Sequence, residues 1–301
     1  MKARGRFAPS PTGPLHFGSL LAALASYCDA RANGGEWLLR IEDVDVPRSR
    51  SGAEDAIVNT LARYGFTWDG AIERQSERTA RYEFALARLI RDGHAYPCIC
   101  TRRELERTAV GVGGERIYPG TCREGMASDR SGSQRAWRVR VGNDVIAFTD
   151  RLQPTQSQAL ATEVGDFVVK RADGLFAYQL AVVVDDAEQA ISDVVRGADL
   201  LASTPRQIHL QRLLGMLTPR YLHIPVAINA AGEKLSKQTH ALALPDDPLP
   251  ALLAAWRFLD QPAPPTAPRD VDTFWRHALA CWTPTRLPPV SMLPAPARYF
   301  G

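Results

Sequence analysis

The sequence predicts an α/β fold that is built on a parallel sheet and interrupted by a second module. Short apolar segments alternate with helix-forming segments over residues 4–92, which is typical of a parallel α/β sheet. The pattern changes at His94, where a cysteine-rich stretch begins, and the alternation resumes at Asp166. The 301 residues, 45% of them hydrophobic, suffice for a full core and more than one domain.

The order of these segments divides the chain into four parts. We expect the first half of the α/β domain over residues 1–93, an insertion over 94–152, the second half over 153–240 and a short C-terminal region over 241–301. The C-terminal part is rich in proline, and its sequence predicts helices over residues 249–259 and 271–282.

A strand, a sharp turn and a helix follow one another at the N-terminus. The strand covers residues 4–8, prolines and a glycine break the chain between residues 9 and 14, and a helix runs over 19–31. The free N–H groups and the dipole of a helix N-terminus favour a bound phosphate. His16 can donate to a phosphate oxygen, and Gly18 lets a nucleotide approach the backbone.

A basic loop stands far downstream, as Gly232-Glu-Lys234-Leu-Ser-Lys237. It follows a short apolar segment over residues 225–229, which predicts a strand ending in a turn. Lysines placed there would stabilise the charge that grows on a departing pyrophosphate. An exposed basic loop is the usual interpretation of such spacing, and the first motif is what favours the catalytic one.

These two motifs, in this order, resemble the signature sequences of class I aminoacyl-tRNA synthetases. The segment His16-Phe-Gly-Ser19 is similar to the HIGH motif, with serine in the last place, and Lys234-Leu-Ser-Lys237-Gln238 is similar to the KMSKS loop. The resemblance implies a Rossmann-like nucleotide-binding fold that takes ATP with Mg²⁺. It implies catalytic roles for His16, Lys234 and Lys237, with Lys237 the better candidate for direct phosphate contact, and ATP binding by His16, Gly18, Ser19 and Lys237.

The segment Arg6-Phe-Ala-Pro-Ser10-Pro-Thr-Gly resembles the glutamyl branch of that class. A substrate with a side-chain carboxylate calls for guanidinium groups, and both Arg6 and Arg196 match family positions that hold this carboxylate. Two arginines would be poorly paired with neutral glutamine, which should be rejected. The resemblance further implies that Ala8, Ser10 and Tyr178 line the glutamate pocket.

An apolar strand over residues 37–41 ends in three carboxylates, Glu42, Asp43 and Asp45. The carboxyl ends of parallel strands line the ligand crevice of such folds. Glu42 matches the family residue for the substrate ammonium group. For Asp43 and Asp45, a site role and a solvated loop remain equal alternatives.

Three of the five cysteines, Cys98, Cys100 and Cys122, lie close together in the insertion, and such thiolates can converge on one structural zinc ion. In the branch that the chain resembles, the pattern Cys-x-Cys followed by Tyr-x-x-x-Cys implies Tyr118 as fourth ligand. His94, water and three free thiols remain alternatives. No apolar N-terminal signal or membrane-length run is present, which predicts a cytoplasmic protein.

The net charge of +3 permits contact with RNA without indicating it. The 64-residue stretch after Lys237, residues 238–301, is too short for the anticodon-binding domain of full-length glutamyl synthetases. The chain therefore resembles truncated paralogues of that family. This implies a monomer that activates L-glutamate with ATP and transfers it to queuosine at the wobble position of tRNA(Asp), without a membrane. The alternatives are an ordinary glutamyl-tRNA synthetase acting on the 3′ end of tRNA(Glu) and an inactive RNA-binding paralogue.

Overall fold

The computed structural model describes residues 2–111, 114, 116–125, 134–236 and 241–300. Lys237 and Gln238 of the basic loop lie outside these residues. The helices are α1 (Phe17–Arg31), α2 (Ala53–Arg63), α3 (Thr79–Arg91), α4 (Arg102–Leu105), α5 (Leu160–Glu163), α6 (Tyr178–Glu188), α7 (Thr204–Leu213), α8 (Pro248–Phe258) and α9 (Val271–Cys281). The strands are β1 (Arg4–Phe7), β2 (Glu36–Ile41), β3 (Glu73–Arg74), β4 (Ala95–Cys98), β5 (Ala136–Val139), β6 (Val145–Phe148), β7 (Gln156–Ala159), β8 (Phe167–Lys170), β9 (Asp193–Gly197), β10 (Arg220–Ile224), β11 (Val226–Ile228) and β12 (Met292–Pro294).

Parallel strands from both halves of the chain form the centre of the molecule. Strands β1, β2 and β3 pair in that order, and β9 pairs with β10. The two groups meet where the backbone N–H of Ser192 donates to the carbonyl of Arg4 at 3.0 Å, which sets β9 beside β1. The predicted parallel α/β architecture is therefore confirmed, with the insertion lying between its two halves in sequence.

Two hydrophobic cores cover opposite faces of this layer. Successive residues of a strand point to opposite faces, and Val194 joins one core while Val195 joins the other. The first core packs α1 and α2 against α8 and α9, so the C-terminal helices share a core with the first half of the α/β domain. The second core packs α3, α6 and α7 against strands of the insertion. The helices predicted in the C-terminal part are thus present and fully integrated.

The insertion is built from antiparallel strands. Strand β5 pairs with β4 on one side and β8 on the other, and β6 forms a hairpin with β7. The expected end of the insertion at residue 152 falls inside that hairpin, and the three-stranded sheet continues to residue 170.

Among the helices of the described residues, none is both long enough and apolar enough to cross a membrane.

Candidate active site

A cavity of about 910 Å³ lies at the carboxyl ends of β1, β2, β9 and β10. Ligands of open α/β sheets bind at this edge of the sheet. All described residues that the sequence assigned to glutamate or ATP line it, namely Arg6, Ala8, Ser10, His16, Gly18, Ser19, Glu42, Tyr178, Arg196 and Lys234. Lys237 lies outside the described residues. The fold therefore unites residues that stand more than two hundred positions apart.

His16 is the N-cap of α1. Its backbone is extended, and its Nδ1 accepts a hydrogen bond from the backbone N–H of Ser19 at 3.3 Å. In a neutral imidazole Nε2 then carries the proton, since one ring nitrogen donates while the other accepts. Gly18 makes room for this ring: a Cβ at Gly18 would lie 3.1 Å from Cε1 of His16.

The basic loop reaches the same end of the cavity. The carbonyl of Leu235 lies 3.5 Å from the place where a Cβ on Gly18 would stand, and Leu244 donates its backbone N–H to the carbonyl of Leu15 at 2.9 Å. The Nζ of Lys234 lies 2.5 Å from a carboxylate oxygen of Asp199, in a partly exposed ion pair. Asp199, two residues beyond the end of β9, was not among the predicted residues, because no motif marks it.

Arg6 lies at the opposite, buried end. Its Nε donates to Oδ1 of Asp186 at 3.0 Å and its Nη2 to Oδ2 at 3.4 Å. Arg40, which is fully buried, donates to the same carboxylate at 2.7 Å and also bonds Gln189. The described partners of Arg6 thus engage Nε and Nη2, and Nη1 is the nitrogen that remains for a ligand.

Neither Asp186 nor Arg40 was among the residues that the sequence predicted. Each is a charge inside an apolar segment, Arg40 in β2 and Asp186 after Val182-Val-Val184 of α6. A charge in such a place requires a buried partner, and this signal was available. Nearby charges of Arg6 and Arg40 outweigh burial and hold the pKa of Asp186 below its usual range.

Arg196 is only 4% exposed, yet none of its partners among the described residues is a carboxylate. Its Nε donates to Nε2 of His223 at 3.0 Å, and its Nη2 donates to Thr204 and Gln207 at 2.9 and 2.8 Å. Its Nη1 lies 3.4 Å from the hydroxyl of Tyr178. A buried cation without a counter-ion favours an anion brought by a ligand.

Glu42 directly follows β2 and is nearly buried. An oxygen of its carboxylate accepts from Arg40 at 3.4 Å. Burial raises the pKa of Glu42, although Arg40 and Arg6 oppose the shift. A cationic ligand group would therefore stabilise its charged form. Burial likewise raises the pKa of Tyr178, which keeps its hydroxyl protonated.

The alternatives for Asp43 and Asp45 are resolved by their contacts. Asp43 accepts from the backbone N–H and the hydroxyl of Ser76 at 2.8 and 2.6 Å, and Asp45 pairs with Arg171 at 3.3 Å. Neither residue lines the cavity. Both belong to the loop that follows β2.

A second site lies in the insertion, where three cysteine sulfurs lie within 4.8 Å of one another. The sulfurs of Cys100 and Cys122 are 3.6 Å apart, and the hydroxyl of Tyr118 lies 3.4 and 3.8 Å from the sulfurs of Cys98 and Cys100. With bonds of about 2.3 Å to sulfur and about 2.0 Å to oxygen, a tetrahedral zinc ion requires separations of roughly 3.5–3.8 Å. The donor set fits such an ion, and among the described residues His94 is not part of the group.

Comparison with known proteins identifies the class. The family model described as tRNA synthetases class I (E and Q), catalytic domain, matches residues 2–248. The chain belongs to this family and is a ligase.

Particular relatives narrow this assignment. The chain is 54% identical to a glutamyl-Q tRNA(Asp) synthetase of Aromatoleum aromaticum over 98% of this chain and 93% of that protein. It is 58% identical to one of Burkholderia cenocepacia over 93% and 95%. The fold resembles that of a glutamate tRNA ligase from Elizabethkingia meningosepticum, with a TM-score of 0.82, 23% identity and coverage of 99% of this chain and 68% of that one.

Proposed function

We propose that this enzyme activates L-glutamate with ATP and transfers it to queuosine at the wobble position of tRNA(Asp). The observation that carries the first step is the placement of Arg6 and Arg196 in one cavity with His16 and Lys234. The names of relatives at 54–58% identity support the second step.

The buried end of the cavity takes the amino acid. Nη1 of Arg6 and Nη1 of Arg196 bind the side-chain carboxylate, which supplies the anion that Arg196 lacks among its described partners. Glu42 binds the ammonium group, and Ala8, Ser10 and Tyr178 shape the pocket. Glutamine, which is neutral, would leave the buried charge of Arg196 uncompensated and is rejected.

The open end of the cavity takes ATP, which enters as its magnesium complex. The α-carboxylate of glutamate attacks the α-phosphorus, an oxygen–phosphorus bond forms, and the bond to pyrophosphate breaks. His16 donates to a phosphate oxygen at the N-terminus of α1, while Gly18 and Ser19 line the approach. Lys234 and Lys237 stabilise the charge on the departing pyrophosphate. In the second step a queuosine hydroxyl attacks the glutamyl carbonyl, and AMP leaves as the hydroxyl proton is lost.

We propose that the first half of the catalytic domain covers residues 1–93 and that its second half ends at residue 240. A helical region follows over residues 241–301. The pairing of β6 with β7 and of β5 with β8 supports an insertion that extends from residue 94 to about 170. Zinc bound by Cys98, Cys100, Tyr118 and Cys122 would cross-link β4 to the loop before β5 and stabilise this insertion.

Exchange of pyrophosphate into ATP tests the first step. With glutamate present and RNA absent, we expect exchange; a requirement for tRNA would favour an ordinary glutamyl-tRNA synthetase, and none under either condition would favour an inactive binding protein. The second step is tested by identifying the glutamylated nucleoside after nuclease digestion. Transfer to tRNA(Glu), or to tRNA(Asp) that lacks queuosine, would contradict the proposal.

Metal analysis tests the cysteine site separately. We expect one zinc per chain, and we expect Cys100→Ser to lower both the zinc content and the thermal stability. Cys281→Ser is the matched control, because Cys281 is also a partly buried cysteine but lies outside the cluster. Unchanged zinc in Cys100→Ser would contradict the assignment.

A further inference from the structure

A buried histidine and a buried carboxylate lie behind Arg196, outside the cavity. His223 and Arg196 are paired residues in the register of β10 and β9, so neighbouring parallel strands place their side chains together. Nδ1 of His223 lies 2.6 Å from Oδ2 of Asp150, and both side chains are fully buried. Neither residue lines the cavity.

The bonds of Asp150 define which nitrogen of His223 carries the proton. Oδ1 of Asp150 accepts three backbone N–H groups, from Leu152, Gln153 and His223, at 3.0, 2.9 and 3.2 Å. Oδ2 is left for the imidazole, and a carboxylate can only accept, so Nδ1 of His223 carries the proton. Nε2 of His223 then presents a lone pair.

The lone pair on Nε2 of His223 accepts a hydrogen bond from Arg196, which can only donate. A guanidinium has no acceptor, so the 3.0 Å contact between Nε of Arg196 and Nε2 of His223 is a hydrogen bond from Arg196. Burial and the charge of Arg196 lower the pKa of His223 to about 4, although the hydrogen bond to Asp150 opposes this shift. The ring is therefore neutral at physiological pH and keeps its lone pair.

We infer that Asp150 and His223 are positioning residues for the glutamate side chain: the carboxylate fixes the tautomer of His223, and that tautomer orients Arg196. Thr204 and Gln207 engage Nη2, so the three contacts together direct Nη1 of Arg196 to the ligand. This inference rests on the proposed activation of glutamate. It assigns a residue of the insertion, Asp150 between β6 and β7, to amino-acid recognition.

Asp150→Asn tests the inference without changing the size of the side chain. The three N–H donors hold the amide oxygen at the position of Oδ1, so the amide nitrogen faces Nδ1 of His223. The proton of His223 must then move to Nε2, where it opposes the N–H of Arg196. We expect KM for glutamate to rise at least about tenfold in pyrophosphate exchange, and KM for ATP to change less than about twofold.

Long-range ¹H–¹⁵N spectra of histidine-labelled protein read the tautomer directly. We expect the Nδ1–H form of His223 in the wild type and the Nε2–H form in Asp150→Asn. A wild type in the Nε2–H form, an unchanged KM for glutamate in the variant, or equal rises for glutamate and ATP would each overturn the inference.

Asp166→Asn is the control for a general loss of stability. Asp166 and Asp150 are both buried residues, and Asp166 bonds Tyr96, Arg123 and the backbone of Val141 instead of His223. We expect this variant to lose stability with KM for glutamate unchanged. A rise equal to that of Asp150→Asn would show a merely structural effect and overturn the inference.

If Asp150→Asn does not fold, two variants of His223 test the same inference. His223→Gln can keep an acceptor near the position of Nε2, and His223→Asn can keep a donor near that of Nδ1. We expect a KM for glutamate about tenfold higher in His223→Asn than in His223→Gln, and equal values would overturn the inference. A wild type without glutamate-dependent exchange would end both proposals, whereas an active wild type with unaffected variants would end only this one.

Discussion

The two ends of the cavity are built in different ways. At the end that we propose for the amino acid, Arg6, Arg40 and Arg196 are almost fully buried, and strands and helices fix each of them through several hydrogen bonds. At the phosphate end, Lys234 is 47% exposed at its side chain and makes an ion pair with Asp199 across a loop. The first end is therefore fixed by the protein itself, whereas the second, in the reaction that we propose, can follow pyrophosphate as it leaves.

The difference has a physical reason. A dicarboxylic amino acid must be distinguished from its amide, and that requires desolvated charges in fixed positions. A triphosphate carries many charges and must release a part that is itself charged, so exposed cations on a loop suffice. Selectivity is therefore expected at the rigid end and turnover at the open end.

The largest expected effect is the loss of the carboxylate that holds two arginines. Asp186→Asn removes the described carboxylate partner of Arg6, whereas Arg40 keeps Glu42 and Asp185 beside it. Leaving a buried charge such as that of Arg6 uncompensated costs about 3–5 kcal/mol. We expect the free energy of unfolding, measured with urea, to fall by about that amount. A loss below about 1 kcal/mol would mean that the amino-acid end is not organised by this network.

Acid should weaken the amino-acid end through His223. Its pKa lies near 4 when folded, below its usual value of 6.5, so the unfolded chain binds a proton that the folded chain does not. Stability is retained above pH 6.5 and is lost as the pH falls towards 4. Relative to His223→Gln, which cannot titrate there, we expect the wild type to lose about 3 kcal/mol between pH 7 and 4. A constant difference would contradict the buried neutral ring.

Arg196→Lys sharpens the comparison in terms of binding. Lysine keeps the charge but loses the planar group that reaches His223, Thr204 and Gln207 together. We expect KM for glutamate to rise roughly 30-fold, equivalent to about 2 kcal/mol, with KM for ATP almost unchanged. If KM in pyrophosphate exchange rose equally for glutamate and ATP, Arg196 would not be the residue that binds the glutamate side chain.

The smallest effect is expected at the open end. Asp199→Asn breaks the partly exposed pair with Lys234, and such pairs contribute at most about 1 kcal/mol to stability. We expect its urea midpoint to stay close to that of the wild type, which makes it the matched control for Asp186→Asn. A loss as large as that of Asp186→Asn would remove the distinction between the two ends.

Local patterns were sufficient to predict the elements near the motifs. The strand before the first turn and helices α1, α8 and α9 were predicted to within a few residues, because hydrophobic periodicity and turn residues are local properties. The end of the insertion at residue 152 stays a prediction, and the pairing of β6 with β7 and of β5 with β8 is a long-range property that local patterns do not contain. No local pattern indicated that Nε and Nη2 of Arg196 would be engaged by His223, Thr204 and Gln207.

By itself the sequence determined which chemical groups are available: two phosphate motifs, a pair of arginines for a carboxylate, and three cysteines for a metal. The tertiary structure decided which buried charges meet. Arg6 finds Asp186 across 180 residues, Arg40 finds it across 146, and Asp150 finds His223 across 73. Such partners depend on strand register and helix packing, which bring distant side chains into contact and which no local pattern of residues encodes.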